Sequence, residues 1–455
     1  VLRAASIVAA LLLCGVGNIF AAQSQWVHLD DTGKLVYAHT PKGDRIVDFS
    51  YAGYRGGGVA LPTFPVVRTL SPTGSDDTTA IQAAIDDVSK LPLVHGIRGA
   101  VMLSSGIFHC SGTLNIEASG VALRGSGWNE KAGTTIQMTD GPHLAVKIAG
   151  KLKQSLLGSP TTLTDAYVPS GTDIIHLVDA SSLHVGDTLL LVKPTTPAWV
   201  KFMGMDRLER SDRQEYWVGE DLKVYRKVAA VDGNTVYLDV PLTDDIDIAF
   251  FGGIAPPVSH MEVSGQIAET GVEDLKIVAP SRSVNYGQDA DFDGLSMVDA
   301  VDSWMHDVHL QDTTNSVSIG SGTERITVEE VDVQQQLAVT SSAKNFQFSC
   351  NGSQILFDRC SGRGDGLFYF ATQARQQGPV VVLHCRFEGN GHIQPHQRWS
   401  TGLLVDSCDV PGGGIDLLNR GTMGSGHGWA IGWSLLWNNA AADFMVQQPP
   451  GAANW

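Results

Sequence analysis

The sequence predicts an all-β solenoid: a parallel β-helix that carries a small inserted β domain. Three observations predict it. First, six segments share an apolar-x-x-apolar form: Val272 to Leu275, Met305 to Val308, Val328 to Val331, Phe357 to Cys360, Val382 to Cys385 and Val405 to Cys408. Their last positions lie 33, 23, 29, 25 and 23 residues apart, and self-similarity at such a period marks stacked repeats. Second, these units are too short and too rich in β-branched residues for helical repeats, whereas short strands on successive coils fit them. Third, 455 residues with 43% hydrophobic side chains suffice for a long core, which excludes global disorder. The 50 glycines follow no three-residue period, which excludes collagen.

In chain order, Arg3, the apolar run Ala4 to Leu13, and the small residues Ala21 and Ala22 read as a cleaved export signal over residues 1–22. The implied location is secreted, periplasmic or extracellular, with no membrane association once the signal is removed. Residues 23–154 form an N-terminal cap and the first coils. Within them Asp76-Asp77-Thr78-Thr79 precedes Ile81 and Ile85, the pattern of a capped helix start. Short apolar runs at 100–103, 106–108, 113–116 and 121–125 read as strands. Residues 155–250 break the pattern and read as an inserted small β-barrel-like domain, with Asp232-Gly233-Asn234 as a hairpin turn. Its irregular middle, Trp199 to Glu220, reads either as a functional loop or as a plain connection. Residues 251–455 are the main coils with a groove on one outer face.

After the signal, five cysteines remain, and no CxxC or zinc spacing is present. Cys360, Cys385 and Cys408 share one repeat position, which predicts an inward stack of small apolar side chains. The net charge of −17 argues against a nucleic-acid partner. It also requires that any acidic ligand be met by a local basic cluster.

Asp48-Phe49, the segment Gly74 to Asp86, the run Gly99-Ala-Val-Met-Leu-Ser-Ser-Gly-Ile-Phe and Val121-Ala-Leu-Arg-Gly-Ser-Gly127 resemble the N-terminal entry and first coils of pectate-lyase-superfamily β-helices. The resemblance implies a right-handed parallel β-helix whose open end is capped by a short helix. It covers the mature chain outside 155–250. It implies a protein acting on carbohydrate, since the superfamily holds polysaccharide lyases, glycoside hydrolases, tailspikes and epimerases. Fold alone does not choose among these.

The basic cluster that the charge demands lies in the C-terminal third: Arg363, Arg375, His384, His392, His396, Arg398, Arg420 and His427. His396 and Arg398 precede Arg420 by 24 and 22 residues, about one coil. Ile393 to Gly402 brings His396, Arg398 and Trp399 onto one approach. Asn419 to Trp429 surrounds Arg420 and His427 with four glycines, which permit close approach to a ligand. Trp399 and Trp429 read as sugar platforms or as core. This set suits β-elimination of a uronic acid. Arg398 and Arg420 would neutralise the carboxylate, and His396 or His427 would remove the C5 proton. Trp399, Asn419, Arg363 and Trp429 would bind the chain.

Hydrolysis is the rival. Gly426-His427-Gly428 matches a polygalacturonase motif superficially, but the accompanying Asn-Thr-Asp and Asp-Asp motifs are missing upstream. Asp365 and Asp416 are its candidate acids, two coils apart. A non-catalytic carbohydrate-binding or adhesion protein is the other alternative. The sequence settles no cofactor and no metal requirement. Calcium is the one candidate, because Asp289, Asp291 and Asp293 begin like an EF-hand loop, although its twelfth position is Ala300. The expected partner is an acidic polysaccharide bound by a monomer.

Overall fold

The computed structural model describes residues 24–129, 132–210, 213–214 and 217–455. The predicted export signal lies outside them. From Val66 onward the chain winds into coils whose strands build three parallel faces. On the first face Val272, Met305, Val328, Phe357, Val382 and Val405 are consecutive partners. These are the opening residues of the six repeat units, so the repeat seen in the sequence is the coil. Parallel strands joined by crossovers in one sheet wind right-handed. The architecture is therefore a right-handed parallel β-helix, as the resemblance implied.

Each repeat unit straddles a bend and is not one strand. Its third residue lies in the left-handed region: Asp274, Asp307, Glu330, Arg359, His384 and Ser407 have φ between 48° and 59°. The fourth residue then turns inward to start the second face. Buried Leu275, Val308, Val331 and Cys360 occupy this position. Cys385 and Cys408 continue the column, and all five described cysteines are buried and free. Burial pushes the Cys350 thiol up to about 12 and Cys385 well above its ordinary value. The stack is packing, as its spacing predicted, and Cys385 at its middle holds no thiolate near neutral pH.

Helix α1, Thr78–Ser89, buries Ile81, Ala84, Ile85 and Val88 in the same core as the first coils. Its predicted cap differs in detail. Asp77 sits at the N-cap but accepts from Thr73 and from His109 N–H, tying the helix start to a coil strand.

After the strand Leu144–Ala149 the chain leaves the coils and returns at Ile267–Ala268. The intervening strands are antiparallel. A bridge between Leu163 and Leu177 joins the sheet back on itself. Its apolar core, including Val168, Ile175, Leu189, Val236 and Leu238, is separate from that of the coils. The strand Pro257–Ser264 pairs within this unit, beyond the expected limit of 250.

Two features lock this unit to the coils. Trp199, Met203, Met205, Leu208, Trp217 and Leu222 pack with Trp399, Trp429 and Trp433 in one cluster. Beside it, Lys193 Nζ donates to Asp244 Oδ1 at 2.9 Å and Asp245 Oδ1 at 3.2 Å. Trp399 Nε1 donates to Asp244 at 2.9 Å, and Trp433 Nε1 to Asp245 at 3.3 Å.

Candidate functional site

The third face positions the site. Its inward ladder Phe348, Phe370, Ile393, Ile415 is core. Its outward ladder runs Phe346, Phe368, His392, Gly414. Phe346 and Phe368 stack with ring centroids 5.0 Å apart. At the end of this face the chain turns, and there His396, Arg398, Arg420 and His427 come together.

His396 Nδ1 donates to Gln373 Oε1 at 3.0 Å, one coil below. That bond fixes the tautomer and leaves Nε2 as the basic nitrogen. Its ring lies 4.8 Å from that of His427, edge to face. Arg420 Nη1 donates to the His396 carbonyl at 2.7 Å, and its guanidinium lies 5.3 Å over the Phe368 ring. Arg398 Nη2 donates to Ser425 Oγ at 2.6 Å and Ser425 O at 3.0 Å. The bridge between Asn419 and Trp429 closes the loop that carries Ser425 and His427.

Arg398 and Trp399 are consecutive left-handed residues, each with φ 56°. Such strain persists only where surrounding structure over-determines it, and it recurs at functional sites. Here it sends neighbouring side chains opposite ways. Arg398 joins the cluster, while Trp399 enters the core at 1% exposure.

The electrostatics are unusual for an acidic chain. Among the described residues neither Arg398 nor Arg420 has a carboxylate partner, and the buried Nε of each lacks a hydrogen bond. Burial holds Arg420 down to about 10, against a raising influence of Asp416. Burial first, then the charges of Arg420 and Arg398, push His396 down to about 4. The imidazole is therefore neutral at pH 7 and sits in a positive local field. Guanidiniums with no ion-pair partner have the chemistry to take up a carboxylate.

This gives a first prediction. Removing one cation favours imidazolium, so Arg420→Ala raises the His396 pKa toward the ordinary 6.5 or so. Titration of the His396 ring by NMR reads the change directly. An unmoved midpoint contradicts the positive field.

A second cluster adjoins the first. Asp416 is 3% exposed, accepts from His392 Nδ1 at 2.8 Å and also from Gln394 Nε2. Asp365 instead accepts the Asn390 N–H at 2.9 Å. The two candidate acids share no partner.

Other sequence expectations are corrected. Trp399 and Trp429, at 1% and 9% exposure, are core. They anchor the inserted unit, as shown by Trp217 Nε1 donating to the Trp429 carbonyl at 3.0 Å, and present no face to a sugar. Arg363 belongs to the second face and pairs with Glu388. His384 lies at the coil bend on Asp358. Asn419 spends its side-chain oxygen on the Gly421 N–H. Gly424 and Gly428 approach the protein's own side chains: a Cβ at Gly424 would lie 2.1 Å from His427 Nε2, and one at Gly428 2.3 Å from Trp217.

The three acids of the calcium expectation face different neighbours. Asp289 accepts from Asn285 N, Asp291 lies 3.6 Å from Arg282, and Asp293 accepts twice from Asn315. Among the described residues no acidic or histidine set converges as a metal site.

Gln373, Ser425 and the Phe346–Phe368 pair were missed. The coil period points to Gln373, 23 residues before His396, and to the phenylalanines, 22 apart. Nothing local marks Ser425.

No protein-family profile matches the chain, and no curated protein matches it in sequence. Among solved structures, the tailspike of Escherichia coli bacteriophage HK620 aligns over 92% of this chain and 63% of its own, at 9% identity and TM-score 0.39. Polygalacturonase from Erwinia carotovora subsp. carotovora aligns over 86% and 97%, at 9% identity and TM-score 0.30. The tailspike of Acinetobacter baumannii bacteriophage AP22, solved with a capsular saccharide, aligns over 82% and 68%, at 11% identity and TM-score 0.27. With these scores below 0.5, the functional reading rests on the geometry of the cluster.

Proposed function

We propose that this protein is an exported enzyme that degrades an acidic polysaccharide by β-elimination at a uronic acid. The observation that carries the reading is the pair of partly buried guanidiniums, Arg398 and Arg420, without an ion-pair partner among the described residues beside a neutral imidazole. In this reading the two arginines bind the uronate carboxylate. Their charge stabilises the enolate-like state formed as the C5 proton leaves. His396 Nε2 accepts that proton, the glycosidic oxygen departs from C4 as the C4–C5 double bond forms and takes a proton from water, and the imidazolium returns its proton to solvent. Gln373 orients the base through Nδ1. His427 borders the same space.

A bound carboxylate offsets the arginine charges and so raises the His396 pKa, making it a stronger base in the complex than in the free protein. Activity that needs neutral His396 persists in acid: the acidic limb of kcat/KM lies near pH 4 in the native protein and moves up in Arg420→Ala.

Hydrolysis would need two carboxylates flanking the bond. Asp416 is buried and held by His392 and Gln394, and Asp365 is engaged elsewhere, which favours elimination. The test compares native protein with His396→Gln. Native protein is expected to release unsaturated product, and the variant to lose about 10²–10⁴-fold in rate while still binding the glycan. Undiminished turnover by the variant removes His396 as base. Reducing ends without unsaturated product turn the reading to hydrolysis.

A further inference from the structure

The second site lies where the inserted unit meets the coils. A cleft of about 430 Å³ opens between the strand Leu222–Asp232 and the turns of successive coils. Its volume falls within the about 300–1,000 Å³ of small-molecule sites.

The roof is a stripe. Lys223, Tyr225 and Lys227 alternate along one strand and so share a face. Among the described residues neither lysine has an ion pair. Tyr225 donates to Gln154 Oε1 at 3.1 Å. Between them Arg226 points the other way and is 4% exposed. It donates to Val240 O, Pro241 O and, across the junction, Gly378 O at 2.9 Å. That bond clamps the roof to the coils.

The floor is built of carboxamides: Gln354, Gln376 and Gln377 belong to it. Gln376 and Gln377 are 2% and 9% exposed. Among the described residues Gln376 Oε1 and Gln377 Nε2 have no hydrogen-bond partner. One is an acceptor and the other a donor, and buried polar atoms left this way are costly unless something satisfies them. The cleft's other charges are engaged: Arg325 with Asp302 and Glu324, Arg375 with Glu220, and Asp239 by the Lys227 backbone N–H.

We propose that this cleft is a second carbohydrate subsite, which binds roughly two or three units of an acidic oligosaccharide beside the reacting one. Carboxamides match sugar hydroxyls, which donate and accept at once. The two unpaired lysines match carboxylates on the same chain. Arg375 joins the two sites. It lines the cleft, and its N–H donates to the Arg398 carbonyl at 2.9 Å. The acidic nature of the ligand rests on the function proposed above; the cleft and its polar floor do not.

The experiment is calorimetric titration with trisaccharides of galacturonate, of mannuronate and guluronate, and of glucuronate, with neutral maltotriose as control. Four proteins are compared: native, Lys223→Ala with Lys227→Ala, Tyr225→Ala, and Arg398→Ala with Arg420→Ala. The lysines are exposed, so their removal leaves the fold intact. At least one uronide is expected to bind native protein, at least tenfold more weakly to the lysine variant, and still measurably to the arginine variant. Equal affinity of native and lysine variants overturns the proposal, as does failure of every uronide to bind native protein. Unsaturated product from native protein with unchanged KM in the cleft variants sinks the subsite alone. Cleft-dependent binding without unsaturated product sinks the lyase reading alone.

Discussion

Lys193→Met is expected to destabilise the protein by about 3–5 kcal/mol, because it leaves two buried carboxylates uncompensated. Lys193 is 5% exposed, and Asp244 and Asp245 are each 8% exposed. Burial pushes Asp244 up and the Lys193 charge pulls it down. Without the ammonium, burial and the Asp245 charge push it up against the Trp399 N–H, so the carboxyl must take a proton or pay for its charge. The lysine also lies 4.9 Å over Trp199 and 5.9 Å over Trp399, so both tryptophans lose a neighbour. Urea unfolding at pH 7 measures the loss. Adding Asp244→Asn and Asp245→Asn to Lys193→Met is expected to recover part of it, since the cost lies in the unpaired charges. A loss under about 1 kcal/mol contradicts this account of the junction.

The effect reaches the site by a short route. Asp244 holds the Trp399 indole, and Trp399 follows Arg398 in the strained pair. Loss of the buried ion pair is therefore expected to disturb Arg398 as well as the junction.

The second large effect is on turnover. Arg398→Ala with Arg420→Ala is expected to lower the rate of unsaturated-product formation by about 10³-fold or more, the scale on which removal of transition-state charge stabilisation acts. Each arginine is partly buried, and each spends only one arm on a neighbour: Arg398 on Ser425, Arg420 on the His396 carbonyl. Their truncation breaks no ion pair among the described residues, so thermal stability should change much less than activity. The His396 pKa should rise in the same variant, which shifts the acidic limb upward. An active double variant removes the cluster from the mechanism.

The same imidazole links stability to pH. His396 is depressed to about 4 in the fold, and an unfolded His titrates near 6.5. Between these values the unfolded chain binds more protons. Stability is therefore fully present above about 6.5 and declines as pH falls toward 4, by up to about 3 kcal/mol for this group.

The period of the coils was legible because inward side chains must stack on their counterparts one turn away. Val328, Phe357, Val382 and Val405 show this spacing in the bare sequence, as do Cys360, Cys385 and Cys408. The same period placed His396, Arg398 and Arg420 together. It left Trp399 and Trp429 ambiguous, because a tryptophan beside a site looks alike whether it faces a ligand or an inserted domain. Only the packing of Trp199 and Trp217 resolves that, and those residues come from a segment some 200 positions earlier. Ser425 was hidden for a related reason: a loop's hydrogen bonds depend on its closure between Asn419 and Trp429, which no periodicity encodes. The acidic run Asp289 to Asp293 misled because carboxylate spacing says nothing about which neighbours claim the oxygens. The cleft under Lys223, Tyr225 and Lys227 has no linear signature at all, since its two walls belong to different folding units.

The most direct measurement is absorbance at the unsaturated-uronate band as native protein acts on uronic-acid polysaccharides and on the same polymers with their carboxyl groups reduced. The account predicts a rise on at least one acidic polymer and none on its reduced counterpart, since Arg398 and Arg420 then have no anion to bind. Equal cleavage of both, or new reducing ends without any rise in absorbance, would contradict it.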